Sequence, residues 1–87
     1  MMARADRMKV LFYGRLSDLI GRELDLSAAA GCSVGQLRDR LAAEHPQAEQ
    51  SLRSDRVKTC VGGTLVHDDH VLEAADTVEF LPPVSGG

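Results

Sequence analysis

Tryptophan is absent from the sequence, and only one tyrosine and two phenylalanines are present. The core must therefore be built mainly from Leu, Val, Ile and Ala. At 87 residues the chain has room for one domain with a modest core, near the size at which burial becomes marginal. No hydrophobic run approaches the roughly 18 residues of a membrane span, and the N-terminus lacks the apolar segment of a signal peptide. We expect a single-domain, cytoplasmic protein without a membrane partner.

Cysteine is also scarce, and acidic residues outnumber basic ones. Two cysteines, Cys32 and Cys60, are too few for a disulfide framework or for the four ligands of the iron–sulfur ferredoxins. A net charge of −3 argues against a nucleic-acid partner, which would select a basic face. Cys60 follows a β-forming residue and precedes another, so we expect a small core residue there. The partners should be proteins or small molecules.

Two short stretches carry weak signals of other chemistry. His67, Asp68, Asp69 and His70 include residue types that bind metals, but a spacing of three in an extended turn splays the two histidines. We expect a solvated turn and no metal site. The segment Gly62-Gly63-Thr64 has neither the lysine nor the spacing of a phosphate-binding loop.

The first third of the chain predicts a hairpin with a widened loop. Met8–Gly14 is an apolar run rich in β-formers, which predicts a central strand buried on both faces. Arg15–Ile20 has apolar residues at helical spacing and predicts about one helical turn. Arg22–Ser27 alternates polar and apolar residues, which predicts a half-exposed strand paired back to the first.

The main helix has clear start and stop signals. Ser33 and Gln36 fit a capping box, with Cys32 and Leu37 able to form a hydrophobic staple. Pro46 disfavours helical geometry at the preceding residue and ends the helix. The apolar stripe predicted to face the sheet is Val34, Leu37, Leu41 and Ala42, and the residues predicted to lie mostly outside it are Arg38, Asp39, Arg40 and Glu44.

The second half predicts strands joined by short turns. Gln47–Asp55 reads as a short helix or an ordered loop, and Gly62-Gly63 as a hairpin turn. The predicted strands are Arg56–Val61, Thr64–Val66 and Thr77–Leu81. In the last of these, alternation turns Val78 and Phe80 toward the core and Leu81 toward the other face.

These elements predict an α+β fold, a mixed sheet of four to five strands covered by one main helix. Residues 1–7 are polar and are expected to form a disordered leader. The folded domain should span residues 8–81, and residues 82–87 an extended, flexible tail.

The tail is the most unusual stretch of the sequence. It reads Pro82, Pro83, Val84, Ser85, Gly86 and Gly87. Prolines cannot donate ladder hydrogen bonds, so the sheet should end near Leu81 and the chain should leave it extended. Six residues reach at most roughly 20 Å, and glycines without Cβ atoms can pass through a narrow channel. The alternative is a frayed terminus.

With these features the chain resembles the small subunits of molybdopterin synthase, a family of ubiquitin-like sulfur carriers. The resemblance covers nearly all of residues 8–87 and rests on four segments, Lys9–Tyr13, Thr64–Val66, Asp76–Phe80 and above all Leu81–Gly87. It implies a β-grasp fold with parallel first and last strands. Family members commonly have Asn-x at Gly62-Gly63 and Gly at Ala75, departures that affect local turn geometry.

The resemblance also implies a chemistry centred on Gly87. A terminal carboxylate is ionised at neutral pH and is a poor electrophile, so it must be activated. In the family, an adenylating enzyme uses ATP to form an acyl-adenylate at the terminal glycine, and a sulfur donor protein displaces AMP to leave a thiocarboxylate. The large synthase subunit then receives the tail and transfers the sulfur to a pterin precursor. The chain would be a non-catalytic, sulfur-donating subunit that binds no cofactor itself.

A carrier must also dock on its partners, and the outer face of the sheet is the expected place. Leu65 lies on a short strand, and Leu81 is out of phase with the core residues of its own strand. Exposed apolar side chains there would anchor a partner. The alternative is that the connector covers one or both.

Three other functions fit parts of the sequence. The chain could carry sulfur for thiamine or cysteine synthesis, although the double proline and Val84-Ser85 argue against it. It could be a ubiquitin-like modifier joined to lysines through Gly87, or a pure interaction module.

Overall fold

The computed structural model describes residues 7–27 and 31–83, which form five strands and three α-helices. The strands are β1 Arg7–Phe12, β2 Glu23–Ser27, β3 Lys58–Val61, β4 Thr64–Val66 and β5 Thr77–Leu81. The helices are α1 Arg15–Leu19, α2 Val34–Glu44 and α3 Glu49–Arg53, the last preceded by a 3-10 turn at Pro46–Ala48. The predicted leader lies outside the described residues, except for Arg7, which begins β1.

The strands form one mixed sheet in the order β2-β1-β5-β3-β4. β1 and β5 are parallel, with Val10 opposite Val78 and Phe12 opposite Phe80, and the other pairs are antiparallel. The buried residues of α2 join the inner face of this sheet in one hydrophobic core. The predicted α+β class and β-grasp fold are confirmed.

Helix α2 begins and ends where the sequence predicts. The Ser33 side chain accepts from the Gln36 amide at 3.1 Å, and the Gln36 side chain accepts from the Ser33 amide at 2.9 Å, which completes the capping box. His45, before Pro46, leaves the helical region with φ −131° and ψ 72°. The predicted apolar stripe is buried. The prediction was wrong for Arg38, which is buried as well.

Alternation along β5 gives the sheet its two faces. Val78 and Phe80 are fully buried under α2, whereas Leu81 lies on the outer face and is half-buried. The expectation that β1 is buried on both faces was wrong, because Lys9 is exposed. Cys60 was also misplaced: it stands opposite Glu79 and Leu65 on the outer face, half-buried.

The turns follow their sequence signals. Gly62 and Gly63 have φ values of 59° and 86°, the geometry of a tight hairpin turn that favours glycine at both positions. Ala75 has φ 70°, the single positive value at a described non-glycine residue. The stretch His67–His70 closes as an exposed turn through a 3.0 Å backbone hydrogen bond. No helix among the described residues has the length and apolar character needed to cross a bilayer.

A candidate functional site at the exit of the C-terminal segment

The middle strand of the sheet delivers the C-terminal segment to one end of the domain. β5 lies between β1 and β3, and its final ladder pair joins Leu81 to Lys58. Pro82 and Pro83 follow immediately and are exposed. Because neither can donate a ladder hydrogen bond, pairing stops there. The tail residues Val84, Ser85, Gly86 and Gly87 lie outside the described residues.

Pro82 is seated against the turn that follows β1. Gly14 there has φ +63°, and a Cβ added to it would lie 3.0 Å from the Cβ of Pro82. A side chain at residue 14 would therefore be strained by its backbone and would collide with the proline. Sequence reasoning missed this contact, since it treated Gly14 only as the end of a strand.

Two grooves flank the prolines. One, with a volume of about 270 Å³, lies on the helical side and is lined by Leu16, Val57, Pro82 and Pro83 among others. The other, about 370 Å³, is lined by Asp55, Arg56, Lys58 and Pro83. A partner that binds close to the base of the tail thus meets a groove on either side of Pro83.

A tyrosine and a carboxylate join β1 to β5 on the outer face. The Tyr13 hydroxyl donates a 2.6 Å hydrogen bond to Glu79 Oε2. This hydrogen bond, helped by partial desolvation and by the negative charge of Glu79, raises the pKa of Tyr13 above its ordinary value of 10.0. The pair fixes two polar groups close to the point where β5 releases the tail.

The two predicted docking residues share the outer face. Leu65 is 63% exposed and stands opposite Cys60, while Leu81 stands opposite Lys58 on the same face of β3. Since neighbouring strands are about 4.8 Å apart, β4 and β5 place these leucines about 10 Å apart in the direction of the ladder. They border one surface, with β3 side chains between them.

A buried arginine ties α2 to the segment that follows it and to β3, the neighbour of the strand that carries the tail. Arg38 Nη1 donates to the carbonyls of Leu52 (2.7 Å) and Ser54 (3.0 Å), and Nη2 donates to the carbonyl of Val57 and to Thr59 Oγ1. All four Nη hydrogens are therefore satisfied.

The remaining contacts of the same guanidinium are electrostatic. Arg38 Nε lies 3.1 Å from Asp68 Oδ1, within ion-pair range but outside hydrogen-bond geometry. The guanidinium carbon lies 5.5 Å from the centre of the Phe80 ring, within reach of a cation–π contact. The sequence held a signal for this burial, because residue 38 lies one turn from both Val34 and Leu41 on the apolar stripe.

The described residues offer little catalytic machinery of their own. They contain no group of three or more His, Cys, Asp or Glu side chains that could hold a metal ion. Cys32 and Cys60 form no disulfide within the described residues, and both are half-buried. At the end of the domain where β5 stops, the fold provides a contact for Pro82 and two grooves beside the prolines. The outer face of the sheet lies next to them.

A mixed five-stranded sheet, covered by one main helix and with its last strand ending at two prolines, defines a ubiquitin-like β-grasp domain. Comparison with known proteins agrees. A model of the ThiS family matches residues 10–87, and the chain belongs to that family.

Individual relatives are similar over nearly their whole length. The molybdopterin synthase sulfur carrier subunit of Escherichia coli (strain K12) is 36% identical over 80 residues, which are 92% of this chain and 99% of the relative. Small archaeal modifier protein 1 (SAMP1) of Haloferax volcanii superimposes with a TM-score of 0.79 at 24% identity, over 93% of this chain and 99% of that one.

A third comparison comes from a complex. A chain in the protein–protein complex of subunits 1 and 2 of the molybdopterin-converting factor from Helicobacter pylori 26695 superimposes with a TM-score of 0.63 at 20% identity. The match covers 93% of this chain and 99% of that one. At these identities the two solved structures support the fold.

Proposed function

We propose that this chain is the sulfur carrier subunit of a molybdopterin synthase and that it works through the carboxylate of Gly87. The observation that carries the proposal is the 36% identity to the Escherichia coli sulfur carrier subunit over 92% of this chain and 99% of that relative. The end of β5 supports it, because the middle strand of the sheet stops at two exposed prolines.

The proposed chemistry begins with activation. The Gly87 carboxylate attacks the α-phosphorus of ATP, pyrophosphate leaves, and an acyl-adenylate remains at residue 87. A sulfur donor that supplies the equivalent of hydrosulfide then attacks the carbonyl carbon and AMP leaves, which yields the thiocarboxylate. When that sulfur passes to a pterin precursor, an oxygen atom must replace it at Gly87, and water is the source that balances the step.

This chemistry requires three partners, namely an adenylating enzyme, a sulfur donor protein and the large synthase subunit. The Helicobacter pylori structure is described as a complex of subunits 1 and 2 of the converting factor, which supports a large-subunit partner for this chain. ATP belongs to the adenylating enzyme, and the chain holds no cofactor. Each partner must accept the same narrow tail, so Gly86 and Gly87 suit this role.

In this proposal the folded domain positions the tail for its partners. The β1–β5 ladder and the contact of Arg38 with the Phe80 ring hold the last strand in the sheet, and Gly14 contacts Pro82. Leu65 and Leu81 are the proposed docking residues on the outer face, and Pro82 and Pro83 separate β5 from the residues proposed to react. The folded part presents the tail, and the partners supply the catalytic groups.

The test is a mass measurement on the intact protein. After incubation with ATP, the adenylating enzyme and a sulfur source, the wild-type chain should gain the mass difference between sulfur and oxygen. Addition of the large subunit and pterin precursor should return the original mass as molybdopterin forms. Gly87→Val and deletion of Gly87 should abolish both changes and leave the fold intact, while Ala43→Ser on the exposed surface of α2 should behave as wild type.

Other outcomes identify the alternatives. Attachment of the chain to lysines of other proteins would make it a modifier, and thiocarboxylate formation without molybdopterin formation would place it in another pathway. An unchanged mass under every condition would leave a pure interaction module as the remaining function. Sulfur transfer by Gly87→Val at the wild-type rate would defeat the proposed mechanism.

A further inference from the structure

The lysine and arginine side chains in the described part of the chain fall into two groups. One group forms ion pairs, and its members are Lys9 with Glu23, Arg38 with Asp68, Arg40 with Glu44, and Arg53 with Asp39 and Glu49. The other group lies within 4.0 Å of no described carboxylate, and its members are Arg15, Arg22, Arg56 and Lys58.

Three of these unpaired cations surround the exit of the tail. Arg15 lines the groove that contains Pro82 and Pro83. Arg56 and Lys58 line the groove on the other side of Pro83, and Lys58 is the ladder partner of Leu81. We call Arg15, Arg56 and Lys58 the basic rim. Arg22, the fourth unpaired cation, lines a neighbouring groove with Gly14.

The carboxylates near the rim do not neutralise it. Asp55 shares a groove with Arg56 and Lys58 without forming an ion pair, and the Lys58 ammonium instead donates to the Asp55 backbone carbonyl at 3.1 Å. Glu79 accepts from Tyr13, and Glu23 pairs with Lys9. A protein of net charge −3 therefore concentrates unpaired positive charge around the point from which its tail leaves.

The length of the tail decides what this charge meets. Four residues follow Pro83, and at 3.3–3.6 Å per residue they span at most about 14 Å. A partner that takes Gly87 into an active site must therefore bring the mouth of its channel close to the rim. Charges interact over a Debye length of about 8 Å at physiological salt, so the rim and the mouth act on each other.

We propose that the basic rim binds carboxylate side chains arranged around the mouth of the tail-receiving channel of a partner protein. This inference rests on the proposed function and adds the chemistry of the surface on which the carrier docks. The outer-face leucines supply apolar contact area to the complex. The rim orients the carrier on its partner and raises the association rate.

A phosphate ligand fits the rim less well than protein carboxylates do. The three side chains are exposed and divided between two grooves, so they do not converge on one small anion. They also lie at the base of the tail, whereas adenylation occurs at its end. A cation that assisted the phosphates of ATP would have to lie beside Gly87 itself.

The test compares association kinetics of the full-length triple variant R15Q/R56Q/K58Q with wild type. The probe is the partner that receives the tail, namely the purified large subunit and, separately, the adenylating enzyme. At low salt the triple variant should associate about tenfold more slowly, and the difference should disappear near 1 M salt, where the Debye length is about 3 Å. The matched control Arg40→Gln, which removes one paired charge on α2, should associate at the wild-type rate.

The possible outcomes distinguish failure of the rim proposal from failure of the sulfur-carrier proposal. If the triple variant associates as fast as wild type at low salt while remaining folded by circular dichroism, the rim proposal is wrong and the sulfur-carrier proposal stands. If wild type binds neither partner, both proposals fail. Saturable binding of inorganic triphosphate to the isolated chain, lost in the triple variant while partner association is unchanged, would assign the rim to a phosphate ligand and overturn the proposal.

Discussion

Gly14 and Pro82 lie so close together that a Cβ atom on residue 14 would stand 3.0 Å from the Cβ of the proline. The contact joins the end of β1 to the first residue after β5, the two strands that run parallel in the middle of the domain. The position of Pro82 is thus constrained by a residue 68 positions earlier in the chain.

Gly14→Ala should destabilise the domain because of this contact. Gly62→Ala is the comparison variant, since Gly62 also has a positive φ (+59° against +63°) but has nothing within 4 Å of the added Cβ. The positive φ should cost Gly62→Ala about 1–2 kcal/mol. Gly14 also has ψ −135°, outside the left-handed helical region, so its backbone strain should cost about 1–3 kcal/mol, and the clash should add about 1 kcal/mol. Urea denaturation measures the difference, and equal losses would mean that Pro82 moves aside freely.

Ala75→Gly should stabilise the domain. Ala75 has φ 70°, where glycine avoids the strain of the Cβ but loses more entropy on folding. The net gain should be about 0.5–1 kcal/mol in the free energy of unfolding. Ala74→Gly, one residue earlier and outside the positive-φ region, should give no gain, and a stabilisation of equal size there would contradict the explanation.

Replacement of the buried Arg38 should destabilise the domain strongly. Arg38→Ala leaves the buried carbonyls of Leu52 and Val57 without a donor, so we expect a loss of about 2–5 kcal/mol, since each unsatisfied carbonyl costs about 1–3 kcal/mol. Arg38→Lys should recover little of it, because a single ammonium cannot reproduce the planar fork. Arg40→Ala, which breaks an exposed pair with Glu44, should cost about 0.5 kcal/mol. Equal costs at both positions would refute this role for Arg38.

The pKa of Tyr13 can be measured directly, because it is the only tyrosine in the sequence. Its hydrogen bond to Glu79 raises the pKa above 10.0, so the phenolate absorbance should appear at higher pH than in free tyrosine. Glu79→Gln should lower the midpoint toward 10.0, and Glu23→Gln on the same face should not. A normal midpoint in wild type would exclude the bond in solution.

The sign of the effect on stability follows from the same shift. With a folded-state pKa above the unfolded value, the hydrogen-bonded phenol stabilises the fold fully below about pH 10. This contribution should be lost as the pH rises from 10 through the folded-state pKa. The loss should be absent in Tyr13→Phe.

Leu65 offers a test of the outer face as a docking surface. It is 63% exposed, so Leu65→Ser should leave the free energy of unfolding nearly unchanged and weaken binding of the large subunit by about tenfold. Val71 is also an exposed apolar side chain, at 57%, but lies outside the five strands. Val71→Ser should bind as wild type, and equal losses in the two variants would argue for a general effect of surface hydrophobicity.

Local signals in the sequence predicted much of this fold. The capping box at Ser33 and Gln36, the stop at Pro46 and the alternation along β5 all act between near neighbours, and each is confirmed. The parallel pairing of β1 and β5 came from the family resemblance, because residues so far apart leave no local pattern. The seat of Pro82 on Gly14 depends on that pairing and was missed for the same reason.

The predictions for Arg38 and Cys60 were wrong for related reasons. Arg38 was assigned to solvent by its charge, but carbonyls from the segment after α2 supply enough acceptors to bury it. Its contact with Thr59 Oγ1 at 3.2 Å then places a threonine on the core side of β3. The next residue, Cys60, must therefore point to the outer face. A polar network between distant segments overrode a pattern that is otherwise reliable.

The position of β5 has a consequence for how the protein is made. β5 is the last of the described strands to be synthesised, yet it lies between β1 and β3. Until it emerges from the ribosome, a nascent chain can form the β1–β2 and β3–β4 hairpins, but no ladder joins them. The segment proposed to carry sulfur is thus attached to the strand that closes the sheet, and a partner that docks on the completed sheet meets only chains whose synthesis has passed that strand.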